Sequence, residues 1–255
     1  MGAVASLGPK LGPKLDGLDL SEHATGQVID AARRFVAELG EIVGALYPSP
    51  QDERPMISAI NLDAGEHAVT DDPRELVAAI DAAERTWHEY PYYQVRYGTR
   101  GRRFTSSDSA WLVTLVGEPE PSQEARIDWL ARLLSARGMP SLLLEVHLLY
   151  LHEALVASVP ERAAKYRSLE GLGHQLRSQR LDALPQFDAL VDQCPHDLPL
   201  PNMGAVLVAA VADERWGIEG AVGSVQSWLE TSGGLSPEQS ASVQRLLALA
   251  RQSPS

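Results

Sequence analysis

The chain has 255 residues, 44% hydrophobic and 22% charged, close to ordinary globular usage, so neither a disordered nor a fibrous class fits its body. A formal net charge of −12 and a pI near 5.0 exclude general nucleic-acid binding, because phosphate contacts need a positive face and the summed field here repels polyanions. The one cysteine, Cys194, excludes an internal disulfide and any cysteine-rich zinc site, which points to a cytoplasmic protein.

Residues 1–18 carry a short quasi-repeat, LGPKLGPKLDG, in which Pro and Gly disfavour helix and strand alike, so a flexible tail is expected. The first residues lack a charged region followed by an apolar core, and no secretory leader is expected. Over residues 21–47 the apolar positions Val28, Ala32, Phe35, Leu39, Ile42 and Leu46 step by four and three, which predicts an amphipathic helix ended by Pro48 and Pro50. Residues 51–71 follow neither period.

Asp72-Pro73-Arg74-Glu75 predicts a helix start with an Asp cap, Pro at the first position and Glu three after the cap. Leu76, Ile80, Ala83 and Trp87 continue as its buried stripe. Pro91 is expected to break that helix, Gly98 to stop a short turn after it, and Gly98 and Gly101 to bracket an arginine-rich loop. Thr105 with Asp108 three residues later restarts a helix. Ser122 is the expected cap of the next one, with Ile127, Leu130 and Leu134 buried and Trp129 beside them. Arg137-Gly138-Met139-Pro140 closes that helix and opens another over residues 140–158, apolar almost all round and therefore expected at the centre. Pro160 and Pro185 open two more. Pro195, Pro199 and Pro201 mark the clearest linker, and three helices follow it; the last begins with the capping box Ser236-Pro237-Glu238-Gln239.

No strand alternation persists. The predicted fold is all-α, an irregular multi-helix bundle of about ten helices rather than a coiled coil. Its expected organisation is a tail over 1–18, a main helical domain over 19–192, a Pro-rich linker over 193–202, and a C-terminal helical segment over 203–252 that packs on or follows the main domain. No membrane span is expected. The longest apolar run, residues 142–155, is interrupted by Glu145, His147, His152 and Glu153 and falls short of the roughly 20 residues needed.

Chemistry concentrates in residues 87–111. Trp87, Tyr90, Tyr92, Tyr93, Tyr97, Phe104 and Trp111 are interleaved there with Arg96, Arg100, Arg102 and Arg103, in a chain that is otherwise poor in aromatics. Planar guanidinium forks bind carboxylates and phosphates directionally, and rings stack on flat groups. The leading expectation is a non-enzymatic binding or regulatory protein that recognises a protein partner, or copies of itself, through this surface. The alternative is a sensor or carrier that holds a planar anionic ligand such as a tetrapyrrole between this stretch and the central helix. The plainer possibility is that the rings are core and the arginines pair with the chain's own surplus acids.

The central helix offers Glu145, His147 and His152. An ionisable group on an apolar helix is costly unless paired. A third expectation is therefore an enzyme using Glu145, His152 or His88 for acid-base work, and His147 or His152 could serve as an axial haem ligand with the arginines on the propionates. Two metal motifs fail. His152-Glu153-Ala154-Leu155-Val156 has Val where HExxH needs its second His, and no Glu-x-x-His pair supports a di-iron site; Glu84 and His88 stand four apart instead. Cys194 and His196 sit close in the linker without a third orienting group. No P-loop, GxGxxG, GxSxG or kinase signature occurs.

Overall fold

The computed structural model describes Asn61 and residues 67–195, 198–232 and 234–253. The chain divides into two compact units, Met1–Pro55 and Met56–Ser255, and every described residue belongs to the second. The expected tail, the helix over 21–47 and most of the segment 51–71 lie outside the described residues.

Among the described residues there are nine α-helices and no strand: α1 (Pro73–Glu89), α2 (Pro91–Leu115), α3 (Glu120–Ala136), α4 (Ser141–Ser158), α5 (Ala163–Ala183), α6 (Phe187–Asp192), α7 (Met203–Arg215), α8 (Ala221–Ser232) and α9 (Pro237–Gln252). A single 3₁₀ turn, Pro160–Arg162, leads into α5. The architecture is all-α.

Helix α1 starts where Asp72 and Pro73 dictate, with the Asp72 side chain accepting from the Arg74 backbone N–H at 2.9 Å. Glu75 does not close a capping box. It is buried, and accepts instead from Thr70, Tyr166 (2.5 Å) and Arg162 (2.8 Å). Burial alone would raise its carboxyl, but these three donors bring it below its ordinary value. The buried stripe of α1 is also rotated from the expected one. Ala78, Ala79, Ala82 and Ala83 face inward, where their small side chains let α4 come close, while Ile80 is 38% exposed. Alanines carry little hydropathy, so the larger Ile80 misplaced the stripe.

Helix α2 is broken where glycine permits it. Gly98 takes φ 55 and ψ −152, outside helical geometry, but Thr99 through Gly101 resume the helix at once, so Arg100, Arg102 and Arg103 lie on a helix and not in the expected loop. Helix α3 begins two residues before Ser122, whose hydroxyl bonds the Glu118 carboxylate at 2.6 Å instead of capping. Its Trp129 points outward and is 54% exposed.

The α3–α4 turn follows the sequence closely. Gly138 has φ 85, the Met139 N–H reaches the Leu134 carbonyl at 2.9 Å, and the Gly138 N–H reaches Ser135 at 2.8 Å, the paired bonds of a Schellman end. Asp213 of α7 then caps α4 from across the bundle, accepting from the Ser141 N–H at 2.8 Å and from the Ser135 and Ser141 hydroxyls.

Helix α4 packs against α1, α3 and α5, with Leu148, Leu151 and Leu155 fully buried. It is the one helix among the described residues long and apolar enough to cross a bilayer, and half of it is buried by the protein itself. Helix α7 is the second interior helix: residues 206–213, mostly Val and Ala, are all buried. Two apolar clusters result. One joins α7, α8 and α9 to Trp87, Tyr90, Tyr92 and Tyr93, and the other joins α1, the later part of α2, α3, α4 and α5.

Candidate functional site

The rings expected on a shared outer face are mostly interior. Trp87, Tyr90, Tyr92, Tyr93 and Trp111 are all buried. The cause is their size: they carry the largest apolar surfaces in this part of the chain, and Trp87, Tyr90, Tyr92 and Tyr93 pack into one cluster and Trp111 into the other. Trp87 donates to the Thr105 hydroxyl at 3.1 Å, and Tyr92 donates to the Gly138 carbonyl at 2.6 Å. The arginines separate. Arg96 is held by the Tyr92 hydroxyl and, at 2.9 Å, by Ser224, and Arg102 is paired with Glu84 at 2.6 Å. Arg100 lies over the Phe104 ring at 5.5 Å, and neither Arg100 nor Arg103 has a carboxylate partner among the described residues.

Part of the same stretch turns inward on a cavity. Its volume is about 540 Å³, and it lies between α1, α2, α3 and α4. Arg100 and Arg137 stand at the exposed rim with Arg96 and Tyr97 beside them, while Leu112, Leu130, Leu143, Leu144 and Met139 form apolar walls. The floor is polar. His147 is buried there, its Nδ1 3.2 Å from the Thr86 hydroxyl and its Nε2 2.8 Å from the Ser109 hydroxyl. Burial lowers the imidazole to about 4, so it is neutral at pH 7.

Proton counting shows that this floor is finely balanced. Thr86 also contacts the Ala82 carbonyl at 3.0 Å and Ser109 the Thr105 carbonyl at 2.7 Å, so four contacts are served by two hydroxyl protons and one imidazole proton. A charged imidazole would fill all four, and desolvation opposes that charge.

Between rim and floor sit two polar groups with no partner among the described residues. Asp108 makes neither a hydrogen bond nor an ion pair. Burial pushes its carboxyl up to about 7, and the charge of Arg137, felt across the gap but beyond the 4.0 Å of an ion pair, offsets only part of that. Tyr93 is only 7% exposed, lines the same cavity, and its hydroxyl is likewise unbonded.

The other expected polar residues are accounted for differently. Glu145 is buried in a two-pronged pair with Arg180, Nε to Oε2 at 2.9 Å and Nη2 to Oε1 at 3.0 Å. His152 is partly buried and His88 exposed, and neither joins Glu145 in a cavity. No group of three metal-ligating side chains occurs among the described residues. Of the cavity residues, Thr86, Asp108, Ser109 and Arg137 were not singled out as site residues from the sequence. The signal was present: Phe104, Asp108 and Leu112 recur at four-residue steps, which on one unbroken helix puts a carboxylate on an apolar stripe. Comparison with protein-family models, with curated proteins and with solved structures finds no match, and the chemistry of the site alone carries a functional assignment.

Proposed function

We propose that this protein is a receptor or carrier for a small amphipathic organic anion, bound in the cavity between α1, α2, α3 and α4. One observation carries the proposal: two guanidiniums, the Asp108 carboxyl and the Tyr93 hydroxyl line a cavity of about 540 Å³ with no hydrogen-bond or ion-pair partner among the described residues, above apolar walls. These groups stay accessible to the cavity, and convergent polar groups left free in a concave, apolar-walled site are the arrangement that a ligand completes. The rim favours an anion, since Arg100 and Arg137 bring unpaired positive charge to an otherwise acidic molecule.

Protein recognition through an aromatic surface has less support, because five of the rings it would use, Trp87, Tyr90, Tyr92, Tyr93 and Trp111, are interior. An axially bound tetrapyrrole is also disfavoured, since both nitrogens of His147 are engaged by hydroxyls.

Differential scanning fluorimetry with 3-phenylpropanoate and octanoate tests the proposal. A ligand at a hundredfold its Kd adds about 2.7 kcal/mol, or roughly 5–10 °C for a domain of this size. Arg100→Gln with Arg137→Gln should remove the shift while leaving the helical signal intact. If neither acid stabilises the wild-type protein at millimolar concentration, the cavity is not an anion site.

A further inference from the structure

We infer that the ligand is a zwitterion, with an acid group at the Arg100 and Arg137 rim, an ammonium group on Asp108 and Tyr93, and an apolar body against the leucine walls. This rests on the cavity being an anion site, and adds what the second charge must be. Asp108 is the decisive residue. A partly buried carboxyl without a donor is costly to keep, and the nearest cation, Arg137, stands beyond ion-pair distance across the cavity. A simple organic anion would meet Arg137 favourably and then face a carboxylate of its own sign.

A zwitterion completes both halves of this divided pair. Its carboxylate accepts from the guanidinium fork. Its ammonium carries three donors, enough for both the Asp108 carboxylate and the Tyr93 oxygen, which lines the same cavity and has no partner among the described residues. The groups facing Asp108 from the packed elements are Arg137 of the α3–α4 turn, Arg96, Arg100 and Tyr93 of α2, and His147 of α4. Among these only Asp108 supplies negative charge, so it alone can hold an ammonium.

The two binding modes also move a proton in opposite directions. Near pH 7 Asp108 is partly protonated. An arriving ammonium favours the carboxylate and expels the proton, whereas an arriving anion without an amine favours the neutral acid and takes one up.

Isothermal titration calorimetry of the full chain with L-phenylalanine, 3-phenylpropanoate and 2-phenylethylamine separates them, since the second and third are the first without its amine and without its acid. L-Tryptophan and 3-indolepropanoate provide a larger matched pair. The amino acid should bind at least about tenfold more tightly than either fragment, as a charge-assisted contact predicts. Titrations in buffers of different ionisation enthalpy should show proton release for the amino acid and uptake for the deaminated acid. Asp108→Asn, with its fold checked by circular dichroism, should remove the preference for the amino acid and leave 3-phenylpropanoate bound as tightly as before or more so. Equal or tighter binding of the deaminated acids in the wild-type protein, or a preference that survives Asp108→Asn, overturns the zwitterion while leaving an anion site standing. No binding by any of the five probes overturns both.

Discussion

The most direct physical consequence of the cavity is that Asp108→Asn should stabilise the unliganded protein, and only at neutral and alkaline pH. Asp108 has its carboxyl at 3.8 when solvated and at about 7 in the fold, because burial penalises its charged form. Below about pH 3 it is protonated whether the chain is folded or not and contributes nothing. Between pH 4 and 7 the unfolded chain releases the proton while the folded chain keeps it, so stability falls as pH rises, and above 7 the full penalty persists. At 1.36 kcal/mol for each tenfold change, the interval from 3.8 to about 7 sets a ceiling of about 4 kcal/mol. Asp108 is only partly buried and faces a cavity open at its rim, so solvent screening reduces this to roughly 1–2 kcal/mol. Asparagine keeps the shape without the charge. Urea denaturation of both proteins at pH 3 and pH 8 should give equal stabilities at the lower pH and an Asn variant more stable by that amount at the higher. His147, held at about 4 by burial, loses stability in the opposite direction as pH falls from 6.5. Its slope is common to both proteins and cancels in the difference. Equal stability at pH 8, or a less stable Asn variant, would refute the claim that Asp108 lacks a partner.

Two further substitutions test the frame around the cavity. Arg180→Met leaves the Glu145 carboxylate buried without its two donors and should cost about 3–5 kcal/mol in urea denaturation, whereas replacing both residues with Met should recover most of that loss. Gly138→Ala should lower stability by about 1–3 kcal/mol, since an alanine is strained at φ 85 and its Cβ would press on the Arg96 guanidinium; calorimetry with 3-phenylpropanoate should also show weaker binding, because Arg96 borders the rim.

Helix ends and the central helix were legible in the sequence because each is set by one or two residues acting locally. Asp72 with Pro73, Gly138 with its left-handed turn, and the Ser236 box with its reciprocal Gln239 bond all act as their residue types require. What failed was orientation. Ile80 outweighed three alanines on α1, Ala78, Ala79 and Ala82, and the aromatics of residues 87–111 stood equally well for a surface or for a core, which only the tertiary fold decides. The cavity was hidden for a related reason. Gly98 breaks α2 without ending it, so the arginines read as a loop lie on a helix, and Asp108, read with Thr105 as a helix start, sits instead in mid-helix on the inward line from Phe104 to Leu112.

The contrast among this protein's own buried acids argues that the cavity is more than a packing fault. Glu75 has Thr70, Tyr166 and Arg162; Glu145 has both prongs of Arg180; Asp213 has a backbone N–H and two serine hydroxyls. Each was given partners from helices distant in sequence, which shows how thoroughly this fold neutralises an interior carboxylate. Asp108 has none among the described residues, although it feels the charge of Arg137. A carboxyl left without a pair in an apolar-walled cavity, beside a tyrosine hydroxyl that is also free among the described residues, is the arrangement expected where the missing partner comes from a ligand.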